Sequence, residues 1–419
     1  MYDKTVLPNG LRILTAAMPH TRSVSINFFV GAGSRYELDE VAGISHFLEH
    51  MLFKGTERRP TPREIAETIE GVGGIMNAGT DRELTVYWCK VPSAHFARTL
   101  DVLADNLRHS LFAPEEIEKE RAVIIEELHM VEDSPGDLVG VLIDEVLWPD
   151  QPLGRDIAGS DESVRGIRRQ QMVDYLQQQY VPANTVLAVA GNVTHEQVVR
   201  EAERLLSDWE NRPFGAWFPA KDGQTEPRVA VKQKKTEQVH LCLGMPGLSA
   251  FHPDRYTLDV LNSILGEGMS SRLFLEVREK RGLAYDVHSY VSHYQDTGAA
   301  VVSAGVDPKK LGPTIEAVLE ELDRLKDGIP EEEITKAREF IKGRLQLRME
   351  DTRAVASWLG GQELLRKEIL TVDDVVRIVD AVDAESLQRV ARDVFRRDRM
   401  NLAVVGPQRG TARLEALLK

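Results

Sequence analysis

The chain has 419 residues, more than one typical domain, and a formal net charge of −14 that argues against a nucleic-acid binder, which needs a basic face. Its 42% apolar and 28% charged residues are those of an ordinary globular protein, and no apolar run reaches the roughly 18 residues of a membrane span. The N-terminal stretch shows neither a signal peptide nor an Arg-rich leader, and Cys89 and Cys242 sit in apolar runs that suit buried thiols, so a cytoplasmic location is expected.

In chain order, Leu11–Thr15 and Ser23–Val30 read as strands, the second ended by Gly31 and Gly33. Glu40 to Phe53 reads as a helix, closed near Lys54 and Thr56 by Gly55 as a C-cap. It contains His46-Phe47-Leu48-Glu49-His50, an H-x-x-E-H pattern. Residues four apart share a helix face, so His46 and His50 can aim imidazole nitrogens at one cation. Glu49 projects near the same face and can reach a water there. Neutral imidazoles suit Zn²⁺, and a carboxylate off the metal suits proton transfer.

A catalytic zinc takes three protein ligands, so a third must lie elsewhere. After a helix opened by Thr61 and Pro62, the stretch Gly73–Thr80 with Leu84–Val91 reads as a hairpin. Helices follow at Ala94–Leu111, Pro114–Val131 and about Gly136–Trp148. The Pro114–Val131 helix carries Glu120, Glu126 and Glu127, and spacing alone does not choose a ligand among them. Val164–Tyr180 and His195–Trp209 read as helices around a short strand, Thr185–Ala190. Residues 211–227 hold prolines and glycines among polar and aromatic residues, the composition of a linker.

The second half repeats the first in outline, at an offset of about 215 residues. Gln238–Met245 is a strand, Tyr256–Leu265 a helix, and Ala284–Val291 with Ala299–Val306 a hairpin. Lys310–Leu325 is a helix, Pro330 opens the next, and Asn401–Val405 echoes Val186–Ala190. No H-x-x-E-H occurs here, and Gly343 and Arg344 stand roughly where Glu127 stood. The expected fold class is α+β: two homologous α/β-sandwich units in tandem, each a mostly antiparallel sheet flanked by helices. The expected domains are 1–210, a metal-binding catalytic domain, 211–227, a linker, and 228–419, a copy lacking metal ligands.

The pentad, with 76 residues between His50 and Glu127, resembles the pitrilysin/insulinase family of zinc peptidases. That family includes the β-subunit of the mitochondrial processing peptidase and shorter bacterial relatives. The resemblance implies His46, His50 and Glu127 as ligands of one Zn²⁺ per chain and Glu49 as general base. Glu120, seven residues before the ligand, matches the family's glutamate behind the ligands, and Glu126 is one residue out of register with it. Asn77 and Ala78 match positions on an edge strand that a peptide substrate joins by main-chain hydrogen bonds. Arg278 and Tyr285 match an arginine and a tyrosine that reach the substrate from the second domain, the tyrosine as an oxyanion or carbonyl donor.

The family builds a clam shell from four such units, of which this chain supplies half. A homodimer is expected, or a heterodimer with a metal-free homologue, enclosing unfolded peptides; neither nucleic acid nor membrane is an expected partner. At the two acidic positions that read an arginine in the processing peptidase, this chain has Asp137 and Val141, so the second acid is missing and general oligopeptide degradation stands beside specific processing as an expectation. The expected function is a zinc metalloendopeptidase. The competing reading is a non-catalytic scaffold or partner subunit.

Overall fold

The computed structural model describes residues 2–418. The strands are β1 (Asp3–Val6), β2 (Arg12–Ala17), β3 (Ser23–Val30), β4 (Ile75–Thr80), β5 (Thr85–Pro92), β6 (Thr185–Gly191), β7 (Arg228–Gln233), β8 (Val239–Pro246), β9 (Ala284–His293), β10 (Gly298–Val306) and β11 (Asn401–Gly406). In the first half the helices are α1 (Ile44–Met51), α2 (Pro62–Glu70), α3 (Phe96–His109), α4 (Pro114–Asp133), α5 (Pro135–Leu147), α6 (Asp161–Gly166), α7 (Arg169–Gln179) and α8 (His195–Leu206). The second half carries α9 (Arg255–Gly266), α10 (Leu311–Asp327), α11 (Glu331–Arg348), α12 (Thr352–Arg366), α13 (Val372–Asp380), α14 (Ala384–Val394) and α15 (Ala412–Leu418). Among the described residues, no helix is long and apolar enough to cross a membrane.

Two sheets form. One runs β1-β2-β6-β3-β5-β4, the other β7-β11-β8-β10-β9. From the β4 and β9 edges inward, both show three antiparallel pairings and then one parallel pairing, β6 with β2 and β11 with β7. The shared order is the duplication that the sequence offset implies, with β1 as an addition to the first copy.

Compactness divides the chain differently from a cut at residues 211–227. One unit holds the chain to Leu128 with Asp156–Phe218 and Gln346–Thr371; the other holds His129–Arg155, Pro219–Leu345 and the chain from Val372 on. In the first unit β3 and β6 are buried almost throughout, so neither alternates. One sheet face packs Ile26, Phe28, Tyr87 and Cys89 against Phe47 and Leu48 of α1 and Leu100 and Leu103 of α3. The other face packs Phe29, Val186 and Ala188 against Ala356 and Leu359 of α12. Gly360 makes that approach feasible, since a Cβ there would stand 2.2 Å from the Phe29 ring. In the second unit α5 plays the matching part, with Leu138, Val139 and Ile143 packed on Cys242, Val301 and Val405.

Several expected elements change. The helix expected over 40–53 is only α1, because Asp39–Val41 is a separate 3-10 turn and Gly43 has φ 91°. Leu52 caps its C-terminus, and Gly55, at φ 129°, lies in the turn beyond. The helix expected over 164–180 is two, α6 and α7, since Ile167 and Arg168 are extended. Residues 211–227 carry no regular element, and both cysteines are buried and free.

Candidate metal centre

Helix α1 buries Ile44, Phe47, Leu48 and Met51, the i, i+3, i+4, i+7 stripe. Its remaining face carries His46, Glu49 and His50, all half-buried. Gly43, in the left-handed region, supplies no side chain to cap the helix. The buried Glu37 does so instead, accepting from the Gly43 and Ser45 N–H groups at 2.8 Å each. Tyr175 adds a hydroxyl contact of 2.8 Å to Ser45. The helix that carries His46 and His50 is thus held at its first turn by groups the sequence pattern does not single out.

Three donor atoms converge. His46 Nε2 and His50 Nε2 are 3.3 Å apart, and Glu127 Oε2 lies 3.7 Å from the first and 3.6 Å from the second. A tetrahedron with zinc–ligand bonds of about 2.0–2.1 Å has edges of about 3.3–3.4 Å. The two imidazole nitrogens stand at that edge length and the glutamate oxygen lies within about 0.4 Å of it, so a small shift of the Glu127 side chain would let the three share one zinc ion. Two imidazoles with one carboxylate is the donor chemistry of a catalytic site with a fourth position left over. Among the described residues this is the one cluster of three or more histidine, cysteine or acidic side chains that could hold a metal ion. Glu126, one residue away, is exposed and outside it. Spacing left Glu120, Glu126 and Glu127 open; α4's packing brings Glu127 to the donor set and leaves Glu120 behind it.

His50 Nδ1 lies 3.0 Å from Glu120 Oε2, whose other oxygen takes Lys54 Nζ at 2.6 Å. Burial, reinforced by the neighbouring His50, pulls the His46 pKa down to about 4, so this imidazole is neutral at pH 7 as a ligand must be. Burial raises the Glu49 carboxyl above the usual range, opposed by a hydrogen bond from Thr80 Oγ1 to Glu49 Oε2 of 2.7 Å. Lys54 and Thr80 were not legible as site residues because each acts through a partner distant in sequence, and Glu37 was not because it caps α1 from outside the usual N-cap position.

Asn77 and Ala78 lie on β4, which is the sheet edge expected for peptide addition. Asn77 is therefore mid-strand and not a turn residue, its side chain accepting from the Ala78 N–H at 2.8 Å. Ala78 faces the core with Met76, while Ile75 and Asn77 are exposed. In the second unit a π-helical turn, Phe274–Lys280, places the Arg278 guanidinium 4.8 Å from the ring centres of both Phe274 and Tyr285. Tyr285 is 76% exposed, unlike a tyrosine packed into a sheet.

Residues 12–161 match the family model described as Insulinase (Peptidase family M16), and residues 166–340 match the one described as Peptidase M16 inactive domain. The chain belongs to peptidase family M16. The "inactive" description falls on residues 166–340, which contain no H-x-x-E-H. Among M16 relatives, the chain is 39% identical to "Uncharacterized zinc protease YmxG" of Bacillus subtilis over 97% of this chain and 98% of that one. It is also 39% identical to an "Uncharacterized zinc protease" of Streptomyces coelicolor over 96% of this chain and 89% of that one. In fold it is similar to a protease from Helicobacter pylori, with TM-score 0.91, 24% identity, and 97% and 99% of the two chains covered.

Proposed function

We propose that this M16 protein is a zinc metalloendopeptidase that cleaves extended, unfolded peptides. The observation that carries the proposal is the convergence of donor atoms of His46, His50 and Glu127 to within 3.7 Å of one another, with Glu49 on the same helix face. His46, His50 and Glu127 would hold the ion, which when bound supplies a Lewis acid for the peptide carbonyl and acidifies a water. Glu49 takes the proton of the attacking water and delivers it to the leaving amine. The β4 edge receives the substrate as an added strand, with Asn77 and Ala78 beside the cut. Arg278 and Tyr285 hold the substrate, Tyr285 as a hydrogen-bond donor to its carbonyl.

Because only the first unit carries the metal motif, we further propose that two copies of the chain pair to enclose the peptide, in the cytoplasm. Sedimentation tests the pairing.

The decisive experiment compares wild type with Glu49→Gln on a panel of unfolded peptides, alongside zinc content. The variant is expected to keep one zinc per chain and lose turnover. Cleavage by the variant at the native rate overturns Glu49 as base. A wild type that binds no zinc and cleaves nothing overturns the peptidase reading in favour of a scaffold.

A further inference from the structure

The carboxylate of Glu49 does not stand alone on its helix. Thr80 Oγ1 donates to Glu49 Oε2 at 2.7 Å, and a short bond to an ionised acceptor is the stronger kind. Thr80 closes the edge strand β4, three residues beyond Asn77 and on the face it shares with Met76 and Ala78. Thr85 pairs opposite it in the hairpin register. The Thr85 hydroxyl is buried, 3.0 Å from the Ala32 carbonyl and 3.4 Å from Thr80 Oγ1. Thr80 is thereby fixed from behind by the sheet while its hydroxyl reaches forward to the base.

We propose that Thr80 is the positioning residue of the general base, and that it joins the strand receiving the peptide to the group that moves the proton. This rests on the reading of Glu49 as base. A glutamate on a helix has several rotamers, and a hydroxyl bond to one oxygen selects among them. Peptide pairing along β4 stiffens the strand that carries this hydroxyl, so the substrate's own docking holds the base in place. The contribution then falls on turnover more than on binding, because the hydroxyl is engaged by Glu49 and a peptide pairs with β4 through the main chain.

The test uses Thr80→Val, which keeps β-branching and volume but not the hydroxyl, and Thr80→Ser, which keeps the hydroxyl. The valine variant is expected to lose about 10- to 100-fold in kcat with KM within about threefold and zinc content unchanged. The serine variant is expected to recover most of the loss. Crystal structures supply a readout apart from activity: Glu49 should occupy a changed or mixed rotamer in Thr80→Val and the native one in Thr80→Ser. If Thr80→Val folds poorly, Thr80→Ala serves in its place. A hydroxyl-free variant with native kcat, or with Glu49 in its native rotamer, overturns the proposal while an inactive Glu49→Gln leaves the peptidase reading standing. An active Glu49→Gln instead overturns both.

Discussion

Glu120 accepts a hydrogen bond from His50 Nδ1 at 3.0 Å while Lys54 holds its other oxygen at 2.6 Å. A carboxylate only accepts, so the proton sits on Nδ1 and Nε2 keeps its lone pair for a cation. The pair fixes both the tautomer and the ring plane of one candidate ligand from a helix that also supplies another, Glu127.

Glu120→Gln keeps the shape of this support and removes its charge. The zinc dissociation constant is expected to rise about 10- to 100-fold. Competition with a chromophoric chelator measures it; an unchanged constant would show that Glu120 does not orient His50.

In metal-free protein His46 gives stability a pH dependence. Its folded pKa is about 4 against an ordinary 6.5, chiefly because it is buried. Between those values the unfolded chain binds more protons than the folded one, so stability falls as pH drops from 6.5 toward 4. Above that window the group contributes no slope. The full loss is about 3 kcal/mol for chelator-treated protein. Denaturant titrations at several pH values check it, and His46→Gln should flatten the slope across the window.

Gly360 and Gly361 are neighbours on α12 with opposite surroundings. A Cβ on Gly360 would meet the Phe29 ring at 2.2 Å, whereas one on Gly361 would meet nothing within 4 Å. Gly360→Ala is expected to destabilise by about 1–3 kcal/mol through overpacking. Gly361→Ala is expected to stabilise by about 0.5–1 kcal/mol, as alanine does inside a helix. Thermal unfolding of the two variants distinguishes them; equal midpoints would mean α12 does not press on β3 as described.

Much of the fold follows from local pattern. The alternation of Thr85, Tyr87, Cys89 and Val91 marks β5, and the Thr61–Glu64 capping box marks the start of α2. β1 and β7 are not legible in the sequence, because short edge strands that are only partly buried carry little apolar signal. α1 came out shorter than its apolar periodicity suggests because Gly43 takes a left-handed conformation that periodicity does not register.

The sequence by itself determined that His46 and His50 share a face, because four residues along a helix is a local and nearly invariant geometry. It also determined that the metal motif occurs once in a duplicated chain. Only the tertiary structure decided between Glu126 and Glu127, since adjacent residues on a helix point about 100° apart and which one meets the histidines depends on how α4 packs. The same holds for Thr80 on Glu49, for Glu37 at the first turn of α1, and for the crossing of α5 and α12 into units away from their chain neighbours. Apart from the Glu37 cap, which spans six to eight residues, these join groups distant in sequence, and such contacts are set by the burial of whole sheet faces, which no short window of residues contains.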